Sequence, residues 1–303
     1  MKYSVCKRLR DKMEYKGMIN YHSLKEVLAD AKPYDEIYLK DAYYYGKFEI
    51  KTPHLSIYGN NSIIDYDAYH GLLIRPVDGG DGIKTYGTTG SSTLTVKPGA
   101  ENLYVEGLTI RNSYRRKVGD KHTQNVAFKT EAKNGRYFNC RFLGNQDTLY
   151  IDEDNNAFKE CYIEGNVDFI FGRGDALIYD STIKCLQILD SNAYVLAPST
   201  FVTSNYGLVL YNSEILSEEG KERYLGRAWY PGEHIDKVRP RAFFKDVTMP
   251  SDMTMSLIQM HENDPINYVC YVKNCQKDEE IISNYDDKGL DEYYQKFINE
   301  MMF

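Results

Sequence analysis

The chain has 303 residues, a formal net charge of −7, 42% hydrophobic and 27% charged residues, and 28 tyrosines beside a single tryptophan. Apart from the tyrosines this is ordinary globular composition, and the acidic balance argues against a nucleic-acid partner, leaving a neutral or weakly charged substrate as the more comfortable one. No run approaches the roughly 18 apolar residues that a membrane-spanning helix needs, so no membrane partner is expected.

Residues 1–22 are basic and then polar, without the apolar core and small-residue cleavage site of a secretory signal. As written, the chain reads as cytoplasmic, or as secreted if a leader has been removed. Ser23-Leu24-Lys25-Glu26 has the form of a capping box and opens a short helix to about Ala31, ahead of Pro33; it is expected to cap one end of the fold. Strands follow over 36–39, 55–59, 92–96, 103–110 and 124–128, short, rich in β-branched and aromatic residues, and separated by Gly, Asn and Asp.

Between Arg136 and Gly172 one pattern occurs twice: Tyr137, Asn139, Cys140, Phe142 and then Phe158, Glu160, Cys161, Ile163. It continues through Ile178-x-Asp180-Ser181-x-Ile183, Leu210-x-Asn212-Ser213-x-Ile215 and Phe244-x-Asp246-Val247-x-Met249. The polar anchors recur at intervals of about 21, 20, 32 and 34 residues, a coil of about twenty residues with elastic loops. This is the signature of an all-β solenoid, a single-stranded parallel β-helix. A β-sandwich would need tight Asn-Gly-type turns between most strands, and only Asn134-Gly135 fits. From Leu290 onward, Leu290, Tyr294, Phe297 and Met301 share one helical face, which predicts a second capping helix. The expected organisation is one domain over 1–303: a cap over 1–33, coils over 34–250, and a C-terminal segment with its helix over 251–303.

Asp147 and Asp168 are separated by the coil offset, so the solenoid stacks them on successive coils about 4.8 Å apart. Two carboxylates that close repel by about 3 kcal/mol at an effective dielectric near 20, so one is expected to stay protonated near neutrality. A pair made of one acid and one carboxylate suits general acid plus nucleophile chemistry. Gln146, and Gln124 about one coil earlier, bring amide donors to the same point, where they can stabilise an oxyanion. Cys6, Cys140, Cys161, Cys185, Cys270 and Cys275 read as free buried thiols, and no Cys or His spacing suggests a metal site.

The segments QNVAF (124–128), GNQDTLY (144–150), CYIEGNVDFIFG (161–172) and YLGRAW (224–229) resemble, in order and spacing, the four signature blocks of pectin methylesterases, carbohydrate esterases on a right-handed parallel β-helix. The resemblance implies a cofactor-free hydrolase that removes methanol from galacturonate methyl esters of pectin or oligogalacturonides. Asp168 would be the nucleophile, Asp147 the general acid and then base, and Gln146 and Gln124 the oxyanion pocket. Arg227 would orient Asp168 and keep it ionised, Trp229 would face the sugar ring, and Gln124, Arg227, Thr88 and Thr93 would contact substrate. The protein would act as a monomer without metal.

This chain departs from the family pattern at Ala42–Gly46, at Ala228 in LGRAW, at Ser181 where a paired cysteine is common, and in lacking a downstream Gly-Trp element, for which Tyr230 is a possible substitute. Other readings stay open. A retaining glycosidase also uses two carboxylates about 5 Å apart; a β-helix lyase would abstract a C5 proton; a non-catalytic relative would only bind pectin.

Overall fold

The computed structural model describes residues 1–187, 191–220, 222–275 and 290–302. Among these, the strands form three sheets of twelve (A), seven (B) and eight (C) strands, and almost every pairing is parallel between one coil and the next. One coil runs from Arg136–Phe138 in sheet A through Arg141–Leu143 in sheet B to Leu149–Ile151 in sheet C. The next repeats the course with Asn156–Lys159, Tyr162–Gly165 and Ile170–Gly172. Their registers match residue for residue, Tyr137 with Phe158, Phe142 with Ile163 and Leu149 with Ile170. The fold is a parallel β-helix.

The repeated sequence pattern is the pattern of a corner. Tyr137, Phe142, Phe158 and Ile163 point into a core cluster that runs from Tyr3 to Cys275, while the polar anchors turn the chain from sheet A to sheet B. Asn139, Glu160, Asp180, Asn212 and Asp246 all have left-handed backbones, with φ between 43° and 54°. Asn and Asp tolerate that conformation because their short side chains bond locally, and here Asn212 Nδ2 donates to Asp180 Oδ1 on the preceding coil at 2.6 Å. The residue after each anchor fills the inside of the corner. Ser181 is there a hydrogen-bonding residue, since its Oγ accepts from the Cys161 amide at 3.0 Å and donates to the Tyr179 carbonyl at 2.7 Å.

The ends differ from expectation. Helix α1 (Leu24–Asp30) is capped by Ser23, whose side chain accepts from the Glu26 amide, and it buries Leu24, Val27 and Leu28 against the first coils. The segment before it is not only cap, because Lys2–Val5 already pairs in parallel with Glu36–Leu39 in sheet A. The strands Glu14–Tyr15 and Met18–Tyr21 form an antiparallel hairpin around Lys16-Gly17, both with positive φ. Downstream, the coils continue past 250: Met253–Gln259 extends sheet C and Val269–Lys273 extends sheet A. After the one-turn helix α2 (Gly87–Gly90), the last helix, α3 (Leu290–Met301), forms where the periodicity places it. It covers the flank of the solenoid rather than an end: Tyr294, Phe297 and Met301 pack on the outward residues Ala157, Leu177, Val209 and Phe243 of sheet A. Leu290 lies in the helix, and its side chain is outside the described contacts.

Candidate active site

The two aspartates leave the backbone at equivalent points of adjacent coils. Each stands two residues before a sheet C strand, and the Asp147 amide donates to the Val167 carbonyl at 3.0 Å, which continues the ladder through the turn. Both backbones are left-handed, φ 65° at Asp147 and 52° at Asp168, a conformation that costs free energy and persists only where the surroundings impose it. Only 8% of Asp147 and 6% of Asp168 is exposed, so two carboxyls on adjacent coils are held almost out of water.

Their environments separate them. Arg227, on the strand Arg223–Ala228, donates from Nε to Asp168 Oδ1 at 2.9 Å and from Nη2 to Oδ2, a fork-to-fork pair that leaves Asp147 out. The guanidinium itself lies over the Tyr194 ring at 4.2 Å, which fixes its plane. Burial pushes the Asp147 carboxyl well above the ordinary carboxylate range, the charge of Asp168 adds to that, and Arg227 opposes it. Burial also raises Asp168, but the Arg227 hydrogen bonds and charge pull it back. Asp147 is therefore the group that keeps a proton, and Asp168 the one that gives it up first.

A cavity of about 530 Å³ opens over this pair. Gln124, Gln146, Asp147, Asp168, Arg227, Trp229 and Thr88 all line it, so seven of the eight residues singled out in the sequence meet at one place. Thr93 does not. It is fully buried and spends its hydroxyl on the Arg111 carbonyl at 3.0 Å, so its expected substrate contact is withdrawn. Gln124 lies two residues ahead of the position paired with Asp147, which Val126 occupies, and its buried Oε1 has no hydrogen-bond partner. Gln146 is oriented by a residue that no motif marked: Thr123 Oγ1 donates to Gln146 Oε1 at 2.9 Å, which leaves the amide N–H groups as the end available for an anion.

The floor is aromatic. Tyr150 and Phe171 stack at 4.3 Å, one coil apart and paired in register, and Trp229 tilts against Phe171 at 5.9 Å. Tyr150 and Phe171 stand inside the signature blocks, yet their place in the cavity follows only from knowing which strand residues face outward. Met260 and His261, from the segment that lacks a Gly-Trp element, also line the cavity. Tyr230 does not take that place; it is 4% exposed, hydrogen-bonded to Asn267 and packed with Ala228 and Val238. Among the described residues no group of three or more His, Cys, Asp or Glu is arranged to hold a metal ion, and no helix is long and apolar enough to cross a membrane.

The solenoid thus presents a bidentate Arg–Asp pair, a second carboxyl raised well above its ordinary range by burial, and two glutamine amides above an aromatic floor, an arrangement suited to a carbohydrate-acting member of a β-helix family. The pectinesterase family model matches residues 16–280, and the chain belongs to that family. Pectinesterase A of Dickeya chrysanthemi is 33% identical over 205 residues, 58% of this chain and 55% of the relative, and a probable pectinesterase 50 of Arabidopsis thaliana is 31% identical over 185 residues, 60% and 46% respectively. The chain spans about half the length of the curated relatives it matches. Among solved structures, the pectin methylesterase from Yersinia enterocolitica is 25% identical with a TM-score of 0.77, covering 93% of this chain and 99% of that one. A pectin methylesterase solved in complex with a hexasaccharide shares the fold at a TM-score of 0.78 and 23% identity, covering 99% and 97%.

Proposed function

We propose that this protein hydrolyses methyl esters of galacturonate units in pectin or oligogalacturonides, releasing methanol, as a single-domain enzyme. The observation that carries the reading is the asymmetric carboxyl pair, one member gripped by Arg227 and the other raised well above its ordinary range. Ionised Asp168 attacks the ester carbonyl carbon. The tetrahedral oxyanion is received by amide N–H groups of Gln146 and Gln124. As the carbon–methoxy bond breaks, Asp147 gives its proton to the departing oxygen, and methanol leaves an anhydride between Asp168 and the uronate. Asp147, now a carboxylate, takes a proton from water, whose hydroxide adds to the acyl carbon; the anhydride opens, regenerating Asp168 and releasing the acid. Trp229 and the Phe171–Tyr150 stack offer the sugar ring an apolar face.

The experiment is a methanol-release assay on highly methylated pectin and on methylated oligogalacturonides. Methanol without new reducing ends or unsaturated, ultraviolet-absorbing product supports the esterase. Reducing ends would indicate a glycosidase, unsaturated product a lyase, and binding without any product a non-catalytic relative.

A further inference from the structure

The turn that brings Gln146 and Asp147 into the catalytic cavity sends its preceding residues, Gly144 and Asn145, into a second cavity of about 410 Å³ that shares no lining residue with the first. Three arginines of one short segment, Arg111, Arg115 and Arg116, line it, and Glu164 is the one acidic side chain among its described lining residues. On a chain of net charge −7 this is a local reversal of sign. Arg111 is partly committed, donating from Nη2 to Asp65 at 2.7 Å, and among the described residues Arg116 donates to Ser191 Oγ at 3.2 Å. Among the described residues no carboxylate forms an ion pair with Arg115 or Arg116, and Arg111 and Arg116 each keep a buried Nε without an acceptor. Those Nε atoms are sealed from the cavity, so an arriving anion would be met by the outer guanidinium N–H groups, as a charge-assisted pair.

We propose that this cavity is an anion site that takes the carboxylate of a uronate, a de-esterified unit of a galacturonate chain. The choice of a uronate rests on the esterase reading, in which this acid is the product. The lining favours a sugar acid over a compact dianion such as phosphate. Glu164 repels a second negative charge but can accept from a sugar hydroxyl, and Leu143 offers an apolar wall to a ring, while the Asn145 amide is already spent on the Tyr114 carbonyl. Because the site shares the turn 144–147 with the catalytic acid, a bound product chain would sit directly behind the machinery that made it.

The test is calorimetric titration of the full chain with unesterified trigalacturonate, beside inorganic phosphate. The double variant Arg115→Glu/Arg116→Gln is expected to weaken one resolved binding event by about tenfold or more, the loss of a charge-assisted contact. Methanol release from neutral, fully methylated oligomers should stay at the wild-type rate, because neither arginine lines the catalytic cavity. Arg116→Lys, which keeps the charge, should retain most of the binding, and circular dichroism checks that each variant is folded. If folded double variant and wild type give the same isotherms, the site does not exist; if phosphate competes for it as well as the trisaccharide, the uronate assignment is wrong. Arginine-dependent binding in a protein that releases no methanol would leave the site standing and overturn the esterase reading instead.

Discussion

Replacing Asp147 by Asn is expected to make the protein more stable and slower at once. The folded state raises the Asp147 carboxyl well above its ordinary value, chiefly by burial, so the folded chain holds that proton more tightly than the unfolded chain does. Stability then falls as pH climbs from the ordinary carboxylate range through the raised folded value, and the full contribution is present only below the unfolded value. Asn carries no such proton, so the Tm difference between Asp147→Asn and wild type should be small near pH 4 and grow in favour of the variant toward pH 8; a difference independent of pH would mean that Asp147 is not the protonated member. The same assignment separates the roles in catalysis. On the proposed function, Asp168→Asn removes the attacking oxygen and leaves Arg227 without its charged partner, so methanol release should drop to background. Asp147→Asn should cost about 10²- to 10⁴-fold on methyl esters but much less, in the first turnover, on an activated phenyl ester whose leaving group needs no proton. A normal burst from Asp168→Asn with none from Asp147→Asn would invert the roles. At this scale the sequence spoke through spacing: the 21-residue offset brought the carboxyls together, but Thr123 and the outward rows carrying Tyr150 and Phe171 became visible only once inside and outside were fixed. Thr88 and Thr93 stand five residues apart in one segment, and nothing local distinguishes the threonine that faces the cavity from the one that is sealed behind it.

Helices and strands were legible by type more than by placement. The run QNVAF looks like a strand because it is apolar and branched, yet only Phe128 belongs to one, Phe128–Thr130; Gln124 to Ala127 form the approach to it, and that irregularity is what lets Gln124 reach the cavity. The periodicity of α3 announced an apolar face without saying what it would meet. A solenoid has two kinds of unfinished surface, its ends and any outward row of large apolar residues, and Leu177, Tyr179, Val209 and Phe243 make such a row on sheet A. That row, unusual for the outer face of a coil, was the available signal. Phe297, 1% exposed and stacked on Tyr206 at 4.1 Å, is central to the docking. Phe297→Ala is expected to destabilise the protein by about 3–5 kcal/mol, read from denaturant unfolding, while kcat for methanol release stays near wild type because sheet C carries the cavity. An unchanged unfolding midpoint would mean that α3 contributes nothing to stability.

Across the whole molecule, each coil contacts mainly its two neighbours, so stability is close to a sum of coil and interface contributions, and the terminal coils have only one neighbour to lean on. The cysteines sample this axis conveniently: Cys6 beside the first strand, Cys140 and Cys161 in the coils of Asp147 and Asp168, Cys185 further on, and Cys270 and Cys275 at the last described strand. All six are buried free thiols, and burial pushes the Cys140, Cys185 and Cys270 thiols up to about 12, so native labelling requires opening of the structure rather than local ionisation. Reductant should leave the Tm unchanged. In a native-state thiol-labelling series at rising denaturant, read by mass spectrometry, Cys275, Cys270 and Cys6 are expected to react through openings that cost less than global unfolding, with Cys140 and Cys161 protected until the main transition. Asp147 and Asp168 sit in those central coils, where their left-handed backbones can be imposed from both sides. If all six thiols instead react at one rate that tracks global unfolding, the solenoid is a single cooperative unit, and its ends lend the active site as much support as the neighbouring coils do.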